Sequence, residues 1–354
     1  YSCRINRKER KSQKNLALEL CQVMCIEQSE TVLDCCPNIN FSLVLKNCHK
    51  IGEGVYGEVF LWRGRDGRAR VMKIVPIAGT VKVNGEHQKD FHEIISEIVI
   101  AIFGAYSIRT NKSNLSSLYL VLAVRCVFGP YPSRLLDLWE LYDECKGSEN
   151  DNPASLPADQ RYIVLELANA GQDLESYQFA SAQQAYALFQ QIAFGLAVAE
   201  EAFQFEHRDL HWGNVLIAPT EQKFATFVLR GRTYRVPRRG VAATVIDYSL
   251  SRLSLPLAGE CAALYNDLAA DEQLFDAVGD YQFELYRLMR DKLGNDWKNF
   301  EPYTNILWLH YTVDKMITAL RYKRTNTKIH KHYIEKLKEL FTILSHCIIN
   351  IVVG

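Results

Sequence analysis

The sequence predicts an α+β chain with a β-rich first lobe and a helical second lobe, and three patterns predict it. Residues 41–77 hold short apolar and β-branched runs, SLVL, EVFLW and ARVMKIV, broken by glycines, as an antiparallel sheet with tight turns requires. Residues 88–103 place Phe91, Ile94, Ile95, Ile98 and Ile102 on one stripe at helical spacing. From residue 181 onward helical periods dominate, over 181–205, 281–293, 305–320 and 328–351.

Ahead of the sheet, residues 1–40 open with a basic stretch at 4–14 and continue with Leu16, Leu20, Val23 and Met24 at helical spacing. This extension is expected to be a helix packed on the lobe behind it. After the 88–103 helix, strands are expected at 118–127 and 162–167, separated by a helical segment around 135–142 and the polar loop GSENDNPASLPADQ. The organisation expected is an extension (1–40), a first lobe (41–167) and a second lobe (168–354), joined by a hinge near 167–172. A cleft between lobes is the default place for a ligand.

With 354 residues and 48% hydrophobic content the chain can bury a sizeable core. Its 41 Lys and Arg balance 41 Asp and Glu, so a charged partner must be met by a local patch. The ten cysteines are scattered without CxxC pairs, as expected of free thiols in a reducing compartment. The apolar tail at 341–353 carries Ser345, His346 and Asn350 and is too short for a bilayer. With no leader at the start, a soluble intracellular protein without a membrane partner is expected. The first residue is Tyr1 rather than Met, which suggests a fragment of a longer chain.

The segment Gly52-Glu53-Gly54-Val55-Tyr56-Gly57-Glu58-Val59 is a GxGxxGxV set between two strands, where backbone free of side chains can close over polyphosphate. Alone, such a turn is more often an ordinary hairpin. Sixteen residues after Gly57, Lys73 alternates with apolar neighbours in Val71-Met72-Lys73-Ile74, which aims its ammonium at ATP phosphates rather than at solvent. Glu97 lies among isoleucines on the next helix, where a carboxylate needs a partner, and Lys73 supplies one; Glu93 is the rival one turn earlier. The expected ATP contacts are Gly52, Glu53, Gly54, Val55, Gly57, Val59 and Lys73, with Leu167, Ala168, Asn169 and Ala170 at the join.

His207-Arg208-Asp209-Leu210-His211-Trp212-Gly213-Asn214 reproduces HRDLxxxN, a specific signal. Asp209 is expected to accept or orient the proton of a substrate hydroxyl, and Asn214, five residues on, to bind magnesium. His207 and His211 also sit four apart, as zinc-binding histidines on a helix do, but no glutamate follows His207 and a structural role for it is favoured. Asp247-Tyr248-Ser249 follows the apolar strand at 243–246, where a magnesium-binding Asp-Phe-Gly stands in protein kinases. Lys73, Glu97, Asp209, Asn214 and Asp247, in this order behind a glycine loop, predict a bilobal protein kinase fold that uses ATP and magnesium to phosphorylate serine or threonine.

Beyond these motifs the chain resembles the haspin family, atypical nuclear kinases of a threonine near the start of the histone H-three tail. The likeness runs through VNGEHQKDF (83–91), LAVAE (196–200), FEHRDLHWGN (205–214), IDYSLSRL (246–253), GDYQFELYRLM (279–289) and NILWLHYTVDK (305–315). It covers nearly all of residues 45–320. In that family Asp-Tyr-Thr replaces Asp-Phe-Gly, which Tyr248-Ser249 matches with serine for threonine, and the Ala-Pro-Glu motif is missing, as here. The resemblance implies that Arg208 has no phosphorylated loop residue to hold, so activity is expected without activation-loop phosphorylation. It implies that His211 stands where many kinases have a lysine, and that Asp173, Glu175 and Asp271 are the acids that read an Ala-Arg-Thr-Lys tail. Plain solvated acids are the alternative. Gln273 falls where the family has a second aspartate, which weakens the expected grip on the tail lysine.

Between Asn214 and Asp247, KFATFVLRGRTYRVPRRG reads as an inserted hairpin bearing Arg230, Arg232, Arg235, Arg238 and Arg239. It is either a contact for nucleosomal DNA phosphate or a solvated turn, the second being favoured. The partners expected are the histone H-three tail and the nucleosome, the location the nucleus and chromosomes, and the domain a monomer. The competing readings are a small-molecule kinase of the aminoglycoside kinase kind and a non-catalytic scaffold that binds histone tails.

Overall fold

The computed structural model describes residues 27–29, 47–54, 56–64, 66–90, 93–94, 98–99, 121–257, 260–269 and 271–353. They divide into two compact units, with the change of unit falling between Asn169 and Ala170.

The first unit contains β1 (Glu27–Ser29), β2 (Cys48–Gly54), β3 (Gly57–Arg63), β4 (Ala69–Ile77), β5 (Val121–Phe128), α1 (Ser133–Lys146) and β6 (Arg161–Ala168). The strands form one sheet in the order β1-β5-β6-β4-β3-β2. Period-two burial drives it: Phe60 and Trp62 on β3 and Met72 and Ile74 on β4 face a core that α1 covers with Leu135 and Leu138. Tyr131 and Tyr162 close that core edge to face, their ring centroids 5.8 Å apart. In the 1–40 extension, expected to be helical, the described residues 27–29 form a strand instead, parallel to β5. The unpaired backbone of an edge strand accounts for this, since it accepts a neighbour whatever the side chains. The remainder of that extension lies outside the described residues. Of the 88–103 stripe, residues 93–94 and 98–99 are helical, with Ile94, Ile98 and Val99 buried.

The second unit contains β7 (Gln172–Asp173), β8 (Gln178–Phe179), α2 (Ala182–Phe203), β9 (Val215–Pro219), β10 (Phe224–Leu229), β11 (Arg232–Pro237), β12 (Val241–Val245), β13 (Leu253–Leu257) and β14 (Glu260–Leu264). It continues with α3 (Glu272–Asp276), α4 (Tyr281–Leu293), α5 (Tyr303–Thr318), β15 (Arg321–Tyr322) and α6 (Lys328–Val353). α2 carries no charge before Glu200 and is apolar around most of its circumference, so it becomes the central helix, against α5, α6, β10 and β12. The predicted arginine hairpin exists as β10–β11 and packs on α2 through Phe227 and Tyr234, whose ring centroids lie 5.5 and 5.1 Å from that of Phe194. Among the described residues no helix is long and apolar enough to cross a membrane.

Candidate active site

In the first unit, β2 and β3 pair Gly52 with Val59, Glu53 with Glu58 and Gly54 with Gly57, so the glycine motif forms a hairpin tip. A Cβ on Gly57 would lie 2.2 Å from the Ile74 carbonyl oxygen, while one on Gly52 or Gly54 would meet nothing within 4 Å. Gly57 is thus required by the sheet itself, and Gly52 and Gly54 leave open space at the tip. Lys73 on β4 stands opposite Val59 on one side and Leu165 on the other. Leu167 is buried and Ala168 half-buried at the end of β6, Asn169 is exposed, and Ala170, buried, opens the second unit. The Glu53 carboxylate accepts hydrogen bonds from Lys50, Ser148 and the Glu149 N–H, which leaves its backbone as the part of the residue at the hairpin tip. Glu97, the expected partner of Lys73, and Val55 lie outside the described residues.

In the second unit the HRDLxxxN segment folds as a loop closed by residues 212–214 as a single 3-10 turn. The His207 Nε2 faces the Ile246 carbonyl at 3.0 Å and its Nδ1 accepts the Asp209 N–H at 3.3 Å, which fixes one neutral tautomer. Burial pushes this imidazole down to about 4, in keeping with that tautomer. Arg208 sits at φ +65, in the left-handed region, with its side chain wholly buried. Its guanidinium donates twice to Glu206, at 3.0 Å each, and to the carbonyls of Trp297 and Asn299 at 2.6 and 2.8 Å. Glu206 in turn accepts from the Glu301 N–H and the Thr304 hydroxyl.

Asp209 receives the Tyr286 hydroxyl on Oδ1 and the Asn214 amide on Oδ2 at 3.4 Å; the same amide donates to the Asp209 carbonyl at 2.8 Å. Burial pushes its carboxyl up to about 8, with the Asp247 charge adding to the rise and the two hydrogen bonds opposing it. Asp247, at φ +59, takes the Ser249 hydroxyl at 2.6 Å and the Ser249 N–H at 3.2 Å on Oδ1. Tyr248 turns inward, buried against Phe205 and His207, and donates to the Val245 carbonyl. Thus Asp-Tyr-Ser keeps the aspartate at the surface of the site while its tyrosine joins the core.

The structure gathers Asp209, Asn214, Asp247 and His211 in one place. The charges of Asp247 and Asp280 act on His211, whose pKa burial nonetheless lowers. Those of Asp280, Glu175 and Asp209 act on Tyr311, whose hydroxyl is raised first by burial. Glu175, exposed in the turn after β7, therefore belongs to this group. Asp173 begins that turn, and its Oδ1 accepts the Ser176 N–H at 2.7 Å. The exposed Asp271 carboxylate caps α3, its Oδ1 accepting the Leu274 N–H. Of the five hairpin arginines, Arg238 is buried because it shares the inward face of Val236; Arg230, Arg232, Arg235 and Arg239 are exposed.

Three members of the site escape motif reading. Tyr286 orients Asp209, yet Leu285 and Met289 beside it give it the look of an ordinary core position. Asp280 caps α4 and pairs with Lys315, whose ammonium lies 4.8 Å from the Trp212 ring centroid. Their only sequence signal is the string around them, GDYQFELYRLM followed by NILWLHYTVDK. Zinc is not supported, since both nitrogens of His207 and the Nδ1 of His211 are engaged by the backbone. Among the described residues no group of three or more His, Cys, Asp or Glu could hold a metal. The Asp247 carboxylate and the Asn214 amide oxygen suit a hard ion that takes its other ligands from a substrate.

A glycine-tipped hairpin with a lysine on the strand beside it, and an HRD loop whose aspartate is oriented beside an asparagine and a second aspartate, define a eukaryotic-type protein kinase domain. Residues 7–347 match the family described as haspin like kinase domain, and the chain belongs to it. It is 43% identical to a serine/threonine-protein kinase haspin homolog of Drosophila melanogaster, over 86% of this chain and 55% of that protein. It is 42% identical to the serine/threonine-protein kinase haspin of Mus musculus, over 79% of this chain and 37% of the mouse protein. With the haspin homolog of Arabidopsis thaliana it shares 38% identity over 82% of this chain and 47% of the plant protein. The chain thus spans about half or less of the length of these relatives.

Proposed function

We propose that this domain transfers the terminal phosphate of ATP, with magnesium, to a threonine near the start of the histone H-three tail, in the nucleus and on mitotic chromosomes. The observation that carries the reading is the Asp209 carboxylate, held by Tyr286 and Asn214 with Asp247 close enough to perturb its ionisation. Asp209 takes or orients the proton of the attacking hydroxyl. Asp247 and Asn214 would hold magnesium, which when bound neutralises charge on the phosphates. The acids around His211 and Tyr311 favour a basic peptide, as the family likeness implies for an Ala-Arg-Thr-Lys tail. A peptide beginning Ala-Arg-Thr-Lys should be phosphorylated on threonine, and Glu175→Lys should raise its KM by about tenfold through a reversed charge. Mass spectrometry of the product and a KM series check this; phosphate on another residue, or a KM unmoved by Glu175→Lys, would refute the substrate assignment.

The same unit carries a cationic face that fits nucleosomal DNA. The Arg239 carbonyl accepts from Gln184, whose Oε1 accepts the Ala180 N–H, and the Ala180 carbonyl accepts the Arg324 N–H. The arginine hairpin is thereby joined to the segment 321–331, which bears Arg321, Lys323, Arg324, Lys328 and Lys331 without an acid. Replacing Arg230, Arg232, Arg235 and Arg239 by alanine should weaken nucleosome binding and flatten its log-log salt dependence by up to about 0.9 for each phosphate no longer neutralised. An unchanged slope would show the hairpin to be a solvated turn.

A further inference from the structure

We propose that two loops of the first unit, 78–90 and 147–160, form a brace that holds the tip of the glycine-rich hairpin, with Asn150, Lys50 and Lys89 as its positioning residues; the proposal rests on the kinase reading above. Two strands ending in glycines have little of their own to fix their tip, because glycine gives up more conformational freedom on ordering than any other residue. Here the Asn150 side-chain amide donates to the Gly54 carbonyl at 3.2 Å and to Glu58 Oε1 at 2.9 Å, and approaches the Gly57 carbonyl at 3.5 Å. Ser148 and the Glu149 N–H bind the Glu53 carboxylate at 2.7 and 2.8 Å. Three consecutive residues of one loop therefore grip both strands of the hairpin.

Beneath this grip lies Lys50, whose side chain has no exposure. It pairs with Glu53 and, at 2.8 Å, with Glu58, and its ammonium lies 4.2 Å from the Tyr142 ring centroid and 5.3 Å from that of Trp139. Burial opposes the Glu53 charge, but hydrogen bonds from Lys50, the Glu149 N–H and Ser148 keep its pKa below the ordinary carboxylate range. Both glutamates stand inside a motif that must receive an anion, and Lys50 compensates charge that would otherwise repel it.

The second loop takes hold at Tyr56, where the Lys89 ammonium lies 4.5 Å from the ring centroid. The two loops are also tied to each other. Asn84 N–H donates to the Asp151 carboxylate at 2.8 Å and Asp151 N–H to the Asn84 side chain at 2.6 Å. Gln88 and Gln160 join through their side-chain amides, and Gln160 reaches the Ile77 carbonyl. The hairpin is thus positioned by the first unit itself, before any nucleotide arrives, which lowers the ordering cost of binding.

Asn150→Ala and the double variant Asn150→Ala with Lys89→Ala test this, because neither removes core packing. Amide hydrogen exchange of residues 52–57 in nucleotide-free protein should speed up by about five- to tenfold in the first variant, as the removal of one or two hydrogen bonds implies, and further in the second. The KM for ATP should rise by a similar factor while kcat moves by less than about twofold, the signature of weakened binding rather than impaired chemistry. Exchange and KM within about twofold of the starting protein in both variants would overturn the brace. Faster exchange in a protein that transfers no phosphate would keep the brace and overturn the kinase reading instead.

Discussion

The Asp209→Asn variant loses about 10²- to 10⁴-fold in kcat, the range that a positioned acid or base contributes to proton transfer. Asparagine matches aspartate in shape and the loop is held through the Asp209 carbonyl and N–H, which stay in place; the side chain keeps one acceptor oxygen and loses the other, and with it the proton acceptor. The same substitution stabilises the nucleotide-free domain at neutral pH. Burial and Asp247 raise the Asp209 pKa to about 8, against roughly 3.9 in an unfolded chain. The folded protein therefore keeps this proton to higher pH than the unfolded chain does, and stability is lost as pH rises between about 4 and about 8. Asparagine cannot ionise, so the variant should match the starting protein in melting temperature near pH 4 and exceed it increasingly toward pH 8. Melting curves across that range check the sign; a variant that melts lower at pH 8 would show the Tyr286 and Asn214 hydrogen bonds to outweigh burial.

Arg208→Ala removes about 3 to 5 kcal/mol of stability, the cost of leaving one member of a buried ion pair without the other. Glu206 would keep its place beneath the Glu301 N–H and Thr304, with no cation to balance it. The Trp297 and Asn299 carbonyls would lose their donors as well. Urea unfolding measures this, and a loss under about 1 kcal/mol, the range of an exposed pair, would mean that the pair is solvated. The arrangement bears on regulation. A guanidinium that is wholly buried among four internal hydrogen bonds is not presented to a phosphorylated activation loop. The segment after Asp247 is instead tied down by reciprocal backbone bonds between Glu206 and Arg252 and continues as the β13–β14 hairpin. Phosphatase-treated protein should accordingly keep its activity.

The parts of the fold and site that could be read beforehand share a physical property: they repeat, or they sit at a fixed spacing. α2, α4, α5 and α6 announce themselves by long apolar stripes, and β3 and β4 by apolar runs broken by glycines, while the run SLVL at 42–45 lies outside the described residues. Asp209, Asn214 and Asp247 are recognisable because their roles require fixed offsets along one loop and one strand end. Two-residue strands such as β7, β8 and β15 offer no period, and the β13–β14 hairpin, with Pro256 inside a strand, carries weak turn signals. Side-chain direction was the other gap. Glu53 lies within the glycine motif yet turns its carboxylate onto Lys50 and residues 148–149, and Arg238, just past the end of β11, leaves the run of exposed arginines because it is buried on the side of Val236. Asp271 shows a cap that the sequence reading did not name, its carboxylate accepting the Leu274 N–H at the start of α3. Tyr286 shows the limit of hydrophobic patterning, in which a buried hydroxyl aimed at the catalytic carboxylate has the same signature as packing.

The most direct measurement is transfer of radiolabelled phosphate from magnesium ATP to a peptide beginning Ala-Arg-Thr-Lys, run side by side with the intact domain and the Asp209→Asn variant. Label on threonine from the intact domain, reduced by about 10²- to 10⁴-fold in the variant, is the predicted result. No label from a folded domain, or equal label from both proteins, would contradict the assignment of phosphoryl transfer to this site.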